Sequence, residues 1–196
     1  MGRAVLLSIQ PKWCELIASG KKTVEVRKTK PKLETPFKCY IYETKDAHFE
    51  HIGVHYADGQ DFIHHIGKVI GEFVCGRIDR IGKRGGNNNF DYCYLPLVWG
   101  NDDIEVEITD IRKSRIAIDD LNRYGALSAC LYAWYISDLK IYDEPKDLNE
   151  FYPYCKGECA GCKYLEWIEM YDSDACTRKR IKRPPQSWCY VEALDE

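Results

Sequence analysis

The stretch AVLLSIQPKWCELIASGKKTVEVR, residues 4–27, constrains the fold more than any other part of this 196-residue chain. Ala4 to Ile9 form a compact apolar run of strand length. Pro11 then opens PKWCELIAS, and proline suits a first helical turn because its missing N–H would have no partner there anyway. Trp13, Leu16 and Ile17 recur at i, i+3 and i+4, which predicts one buried helix face. Gly20 follows as the expected C-cap, since a residue without Cβ reverses the chain through positive φ at little cost. The next residues alternate with period two. Val24 and Val26 are expected in the core, Thr23, Glu25 and Arg27 toward a groove or solvent, and Lys22, at the turn, can lean toward the same groove.

An acid held between two cations on one short strand has two readings. One is an exposed strand whose Glu–Arg pair contributes at most ~1 kcal/mol. The other is a cleft that needs both charges to hold a phosphate, a nucleobase or an amide.

The spacing G-x-K-x-x-E-x-R, carried here by Gly20, Lys22, Glu25 and Arg27 behind a strand and a helix, resembles the signature of the ASCH domains of the PUA-like superfamily. The resemblance is specific over residues 4–28. It is closest to bacterial and phage-associated members that end in an RPPQSW-type segment, Arg183 to Trp188 here, and that carry a YAWYIS-like strand. It implies an α+β fold, a small mixed or antiparallel β-barrel with flanking helices, so that residues 1–196 read as one domain with two insertions, at about 45–67 and 151–182. It also implies recognition of RNA or a modified nucleoside in a cleft lined by the motif. Lys22 and Arg27 would meet a phosphate or a base edge, while Glu25 would accept from an exocyclic amine or orient Arg27. Some small ASCH proteins are amidohydrolases of acylated cytidine that use the motif lysine, Lys22 here, as a base. Glu25 stands where those enzymes carry a threonine nucleophile, so the same chemistry in this chain would rely on Lys22 and on the Glu25 carboxylate to activate water. Ribonuclease activity also occurs in the family, but no histidine pair near the motif supports it here.

The net charge of −3 argues against a generic nucleic-acid coat protein, yet residues 1–40 hold nine Lys or Arg against three Glu. A basic motif region on an acidic body fits local phosphate contact rather than wrapping of a long duplex. A second basic run, RKRIKR at Arg178–Arg183, is either part of that surface or an ordinary solvated face. No signal peptide or transmembrane run is legible, which points to a cytoplasmic protein with no membrane partner and mostly reduced cysteines.

Phe37–Thr44 and Lys68–Ile78 read as core strands. All five histidines fall at or between them: His48, His51, His55, His64 and His65. The first three would share a helical face able to hold zinc, but no cysteine or placed carboxylate accompanies them, and a polar hairpin extension is the simpler expectation. Gly82–Tyr92 reads as a Gly/Asn loop without the Lys-Ser/Thr ending of a phosphate-binding P-loop, Ile104–Ile108 as a strand, and AIDDLNRYG as a short helix with Asp119 near its start and Gly125 as its stop. Within the aromatic run Ala129–Pro145, Trp134 or Tyr135 is either a stacking platform for a base or a core residue. SWCYVEAL supplies a final strand that brings Ser187, Trp188 and Tyr190 to the border of the motif cleft.

Cys155, Cys159 and Cys162 stand at x3 and x2 spacings, with Cys176 after thirteen further residues and Cys189 beyond. In a reducing compartment the first four satisfy a tetrahedral structural zinc site, which would fold an insert too poor in apolar residues to fold alone. Unmetallated thiols in a disordered insertion are the competing reading, and a disulfide is the third.

Overall fold

The computed structural model describes residues 2–46, 53–55, 61–85, 92–96, 111–155 and 179–194. Strand β1 (Arg3–Ile9) leads into helix α1 (Pro11–Ala18), β2 (Val24–Arg27) and β3 (Phe37–Glu43). A small hairpin, β4 (Gly53–His55) and β5 (Asp61–Ile63), precedes the long strand β6 (Val69–Gly85) and β7 (Tyr92–Pro96). Helix α2 (Ile118–Gly125), the long strand β8 (Cys130–Lys146) and β9 (Trp188–Glu192) complete the described elements.

The main sheet has seven strands in the order β2-β8-β6-β3-β1-β9, with β7 added along β6. β1 and β3 are parallel and the other pairs antiparallel, so the sheet is mixed. β6 and β8 shift register against each other at three points. Each irregularity bends and twists the ribbon, which lets so long a pair curl instead of lying flat. Gly71 sits at one of these points, and a Cβ there would lie 2.5 Å from the Lys140 carbonyl oxygen.

The expected α+β architecture is present, but the barrel is not closed by backbone pairing. Among the described residues β2 and β9 remain the two ends of the sheet. The curl brings those ends together, and side chains span the gap: the Arg27 guanidinium on β2 donates to Ser8 O (2.9 Å) on β1 and Ser187 O (3.3 Å) beside β9.

β1 reads as a continuous apolar run because both its faces are covered. Val5, Leu7 and Ile9 join Ile17, Ile41, Phe73 and Trp134 inside the curl. Ala4 and Leu6 face a second core of Tyr40, Tyr42, Phe151 and Val191, over which the chain at Leu148–Glu150 and Ile181 folds. Helix α1 is rotated slightly from the expected face: Pro11, Cys14 and Ile17 are buried, while Trp13 and Leu16 are only half-buried. Gly20 has φ of 68°, the left-handed turn expected after the helix.

His55 lies in strand β4, which pairs with β5 as a hairpin, so it does not share the expected helical face; His48 and His51 lie outside the described residues. The Gly82–Tyr92 segment is partly strand, because β6 runs on to Gly85 and Tyr92 opens β7. The predicted strand at Ile104–Ile108 and the cysteines Cys159, Cys162 and Cys176 lie outside the described residues. No described helix is long and apolar enough to cross a membrane.

Candidate functional site

The opening between the two sheet ends is a cleft of about 810 Å³. Its floor comes from the ends of β1 and β2, with Ser8, Glu25 and Arg27 among the lining residues. Ser187, just before β9, closes one side. Trp13 on α1 and Tyr124 on α2 supply aromatic walls, and Lys12, Lys28 and Arg123 bring cations to the lining.

The alternation of β2 works as expected in one direction. Val24 and Val26 pack with Ile81, Leu121 and Leu131. Glu25 and Arg27 point the other way, yet each is only 6% exposed, because the curled sheet and α1 enclose that face too. This burial excludes a solvated surface pair.

Glu25 bridges two cations. Its Oε2 is 3.2 Å from Lys22 Nζ and its Oε1 is 3.0 Å from Arg27 Nε. The second approach is ionic rather than a directed hydrogen bond, which leaves Arg27 Nε a buried donor without a hydrogen-bond acceptor. The rest of the guanidinium is firmly held, by Ser8 O, Ser187 O and, at 3.4 Å, Ser187 Oγ. Ser8 in turn donates its hydroxyl to Pro185 O at 2.6 Å. The RPPQSW segment is thus the second jaw of the site, as the expectation for Ser187 required.

Lys22 takes a different place from the one expected. It is 1% exposed and lies beneath Glu25 instead of lining the cleft. Its ammonium donates to Val24 O and Ser114 O, both at 2.8 Å, and pairs with Glu25, so each of its three protons has an acceptor. Burial lowers its pKa, while the neighbouring Glu25 carboxylate opposes that shift. The contact with Ser114 has a structural purpose. Together with Thr23 N donating to Lys113 O (3.1 Å) and Arg115 Nε donating to Lys21 O (2.7 Å), it seats residues 113–115 on the motif. That segment leads directly into α2, so Lys22 joins the cleft floor to the wall carrying Tyr124.

Trp134 does not reach the cleft. It is 0% exposed, packed edge-on to Phe37 at 5.8 Å between ring centroids, and belongs to the core inside the curl. Tyr135 is also away from the cleft, with Arg77 stacked on its ring. The rings that do face the cleft are Trp13 and Tyr124, and each carries a lysine: Lys12 Nζ lies 4.5 Å from the Trp13 ring centroid and Lys28 Nζ 4.8 Å from that of Tyr124. Trp13 falls at a position that periodicity assigns to a buried face. Nothing local in the sequence ties Tyr124 to the motif, since the link runs through Ser114 and Lys22. Of the cysteine set, only Cys155 is described, and no group of three or more metal-ligating side chains occurs among the described residues.

The ASCH domain profile matches residues 7–169, a span that holds the motif, both walls and most of the sheet. The chain belongs to the ASCH domain family. A crystal structure of ASCH from Zymomonas mobilis superposes with a TM-score of 0.52 at 16% identity, covering 96% of this chain and 87% of the other. Two point mutants of that protein give TM-scores of 0.51 at 16% and 17% identity, covering 96% of this chain and 90% and 88% of theirs. At such identities the likeness shows the shared fold. No curated protein matches the sequence significantly.

Proposed function

We propose that the cleft binds a nucleobase of RNA or of a modified nucleoside, base inward and phosphate outward. The supporting observation is the division of charge within the cleft. At the floor, Glu25 and Arg27 set an acceptor beside donors, both almost completely buried, which suits the mixed donor and acceptor edge of a base. A phosphate at that depth would meet the Glu25 carboxylate. The cations without a buried acid partner, Lys12 and Lys28, are exposed and sit next to Trp13 and Tyr124, where a stacked base would leave its phosphate. Titration with single-stranded RNA and with free modified cytidines tests the reading. Arg27→Ala is expected to weaken binding roughly 10- to 100-fold, and the Lys12→Ala/Lys28→Ala pair is expected to flatten the salt dependence by about 1.4 log units per decade of salt. Binding unchanged by either set would end the proposal.

Hydrolysis of an acylated cytidine is the second reading, and the geometry moves its burden from Lys22 to Glu25. An ammonium with three acceptors is a poor base, whereas the Glu25 carboxylate lines the cleft. Release of cytidine that persists in Glu25→Gln would remove this assignment, and RNA recovered shortened from the binding assay would point to ribonuclease action instead. A structural zinc on Cys155, Cys159, Cys162 and Cys176 is a further proposal, resting on spacing alone. Stoichiometric zinc that survives Cys159→Ser with Cys162→Ser would refute that ligand set.

A further inference from the structure

The register of the sheet carries the charged row of the cleft floor onto two further strands. Tyr132 on β8 stands directly across from Arg27 on β2, and Arg80 on β6 stands directly across from Tyr132 on its other side. Partners in an antiparallel ladder project from the same face, so Arg27, Tyr132 and Arg80 follow one another across one surface. Ile81 and Leu131, one position along, pack in the core on the reverse face, as that alternation requires. β6 lies two strand spacings from β2, roughly 10 Å, a step that a dinucleotide spans.

The segment after β2 brings a second cation to the same place. Lys30 Nζ lies 5.8 Å from the centroid of the Tyr132 ring. The chain is held on both sides of Lys30: Thr29 Oγ1 accepts from Trp188 Nε1 at 3.0 Å, Pro31 is buried, and Lys32 N donates to Tyr190 Oη at 2.6 Å. Lys28, two residues before Lys30, belongs to the cleft rim beside Tyr124. Lys30 and Arg80 are exposed, Tyr132 is half-buried, and none of the three lines the cleft. Among the described residues no carboxylate lies within ion-pair distance of Lys30 or Arg80. Two such cations around one tyrosine favour an anion beside the cleft and outside it.

We infer that Lys30 and Arg80 form a second anion subsite, which takes the phosphate of the nucleotide next to the one in the cleft, so that the ligand is a single strand of RNA and not a free nucleoside. The inference rests on the base-binding reading of the cleft. With the base on the floor and its own phosphate at Lys12 and Lys28, the sugar–phosphate chain leaves over the rim, and residues 28–32 lead from Tyr124 to Tyr132. A phosphate contact carries no sequence information, so this subsite adds affinity and direction while the floor reads the base. A free nucleoside reaches only the cleft.

Titrations of the full chain with mixed-sequence single-stranded RNA tetranucleotides and with nucleoside monophosphates test the inference. In the wild-type chain the tetranucleotides are expected to bind at least roughly 10-fold more tightly than the monophosphates. Lys30→Ala with Arg80→Ala is expected to remove that advantage, to lower the salt dependence of tetranucleotide binding by about 0.7 log units per decade of salt, and to leave the monophosphate titration unchanged. Lys30→Glu with Arg80→Glu, which repels a phosphate, is expected to weaken tetranucleotide binding further than the alanine pair does. Equal affinity of the wild-type chain for the two probes would overturn the second subsite. So would tetranucleotide binding that both double variants leave intact while Arg27→Ala weakens it, and that result would leave the base reading standing. Tetranucleotide binding that Arg27→Ala does not weaken would overturn the base reading, and this inference with it.

Discussion

At the residue scale the site turns on Lys22. Replacing it with Met keeps most of the aliphatic volume but removes the charge, leaving Val24 O, Ser114 O and half of Glu25 without a donor inside a closed space. Breaking a buried pair by deleting one partner costs on the order of 3–5 kcal/mol, so Lys22→Met is expected to lower the urea midpoint far more than Lys12→Met on the exposed rim. Equal midpoints would mean that the ammonium is not structurally engaged. The sequence made the grouping of Lys22, Glu25 and Arg27 legible, because period-two alternation puts the last two on one face. It could not show that Lys22 would be spent holding the floor. That outcome depends on Ser114, 92 positions away, whose carbonyl reaches the ammonium only after folding.

At the element scale, the strand–helix–turn–strand opening, the two long strands, α2 and the final strand are all written in local pattern and punctuation. The curl of the sheet is not. It depends on irregularities between β6 and β8 that carry no local signature beyond an isolated glycine. Gly71→Ala tests that element: a Cβ 2.5 Å from a backbone oxygen forces the β6–β8 pair apart, and a destabilisation of at least ~1–3 kcal/mol is expected in chemical denaturation. The wall α2 offers a complementary case. Tyr124 is exposed at the cleft, so Tyr124→Ala is expected to leave the denaturation midpoint nearly unchanged while weakening RNA binding by ~1–3 kcal/mol, read from titration. The stacking role expected of Trp134 fails for a reason of register, since β8 turns that ring into the enclosed core while α1 and α2 stand over the opening.

At the scale of the whole molecule, buried thiols set the response to alkaline pH. Burial raises Cys14, Cys39, Cys75 and Cys189 above their ordinary value of 9.0, Cys75 to about 12 and Cys189 to about 11. Above pH 9 the unfolded chain loses protons that the folded chain keeps, so stability present below that pH falls as pH rises toward the folded values, by ~1.4 kcal/mol per pH unit for each thiol fully in this window. Lys22 acts in the opposite sense. Its folded pKa is lowered from 10.5, so the unfolded chain binds the extra proton and stability rises with pH up to that value. Four thiols against one amine predict a net alkaline loss, and denaturation midpoints between pH 8 and 11 are expected to fall less steeply in Cys75→Ala. An unchanged slope would show that this thiol ionises as freely in the folded chain as in the unfolded one.

The guanidinium on the cleft floor is also the brace between the two unpaired sheet margins. On the proposed reading, recognition and aperture would be one variable: an occupant that pulled Arg27 off Ser8 and Ser187 would loosen the contacts that join the two margins. A lysine at this position would conserve the charge yet lose the fork that reaches both margins, and with it the shape of the opening. Variation in what such domains accept is expected to appear as paired change at Arg27 and at the Ser187 jaw, two places far apart along the chain that share one hinge of chemistry.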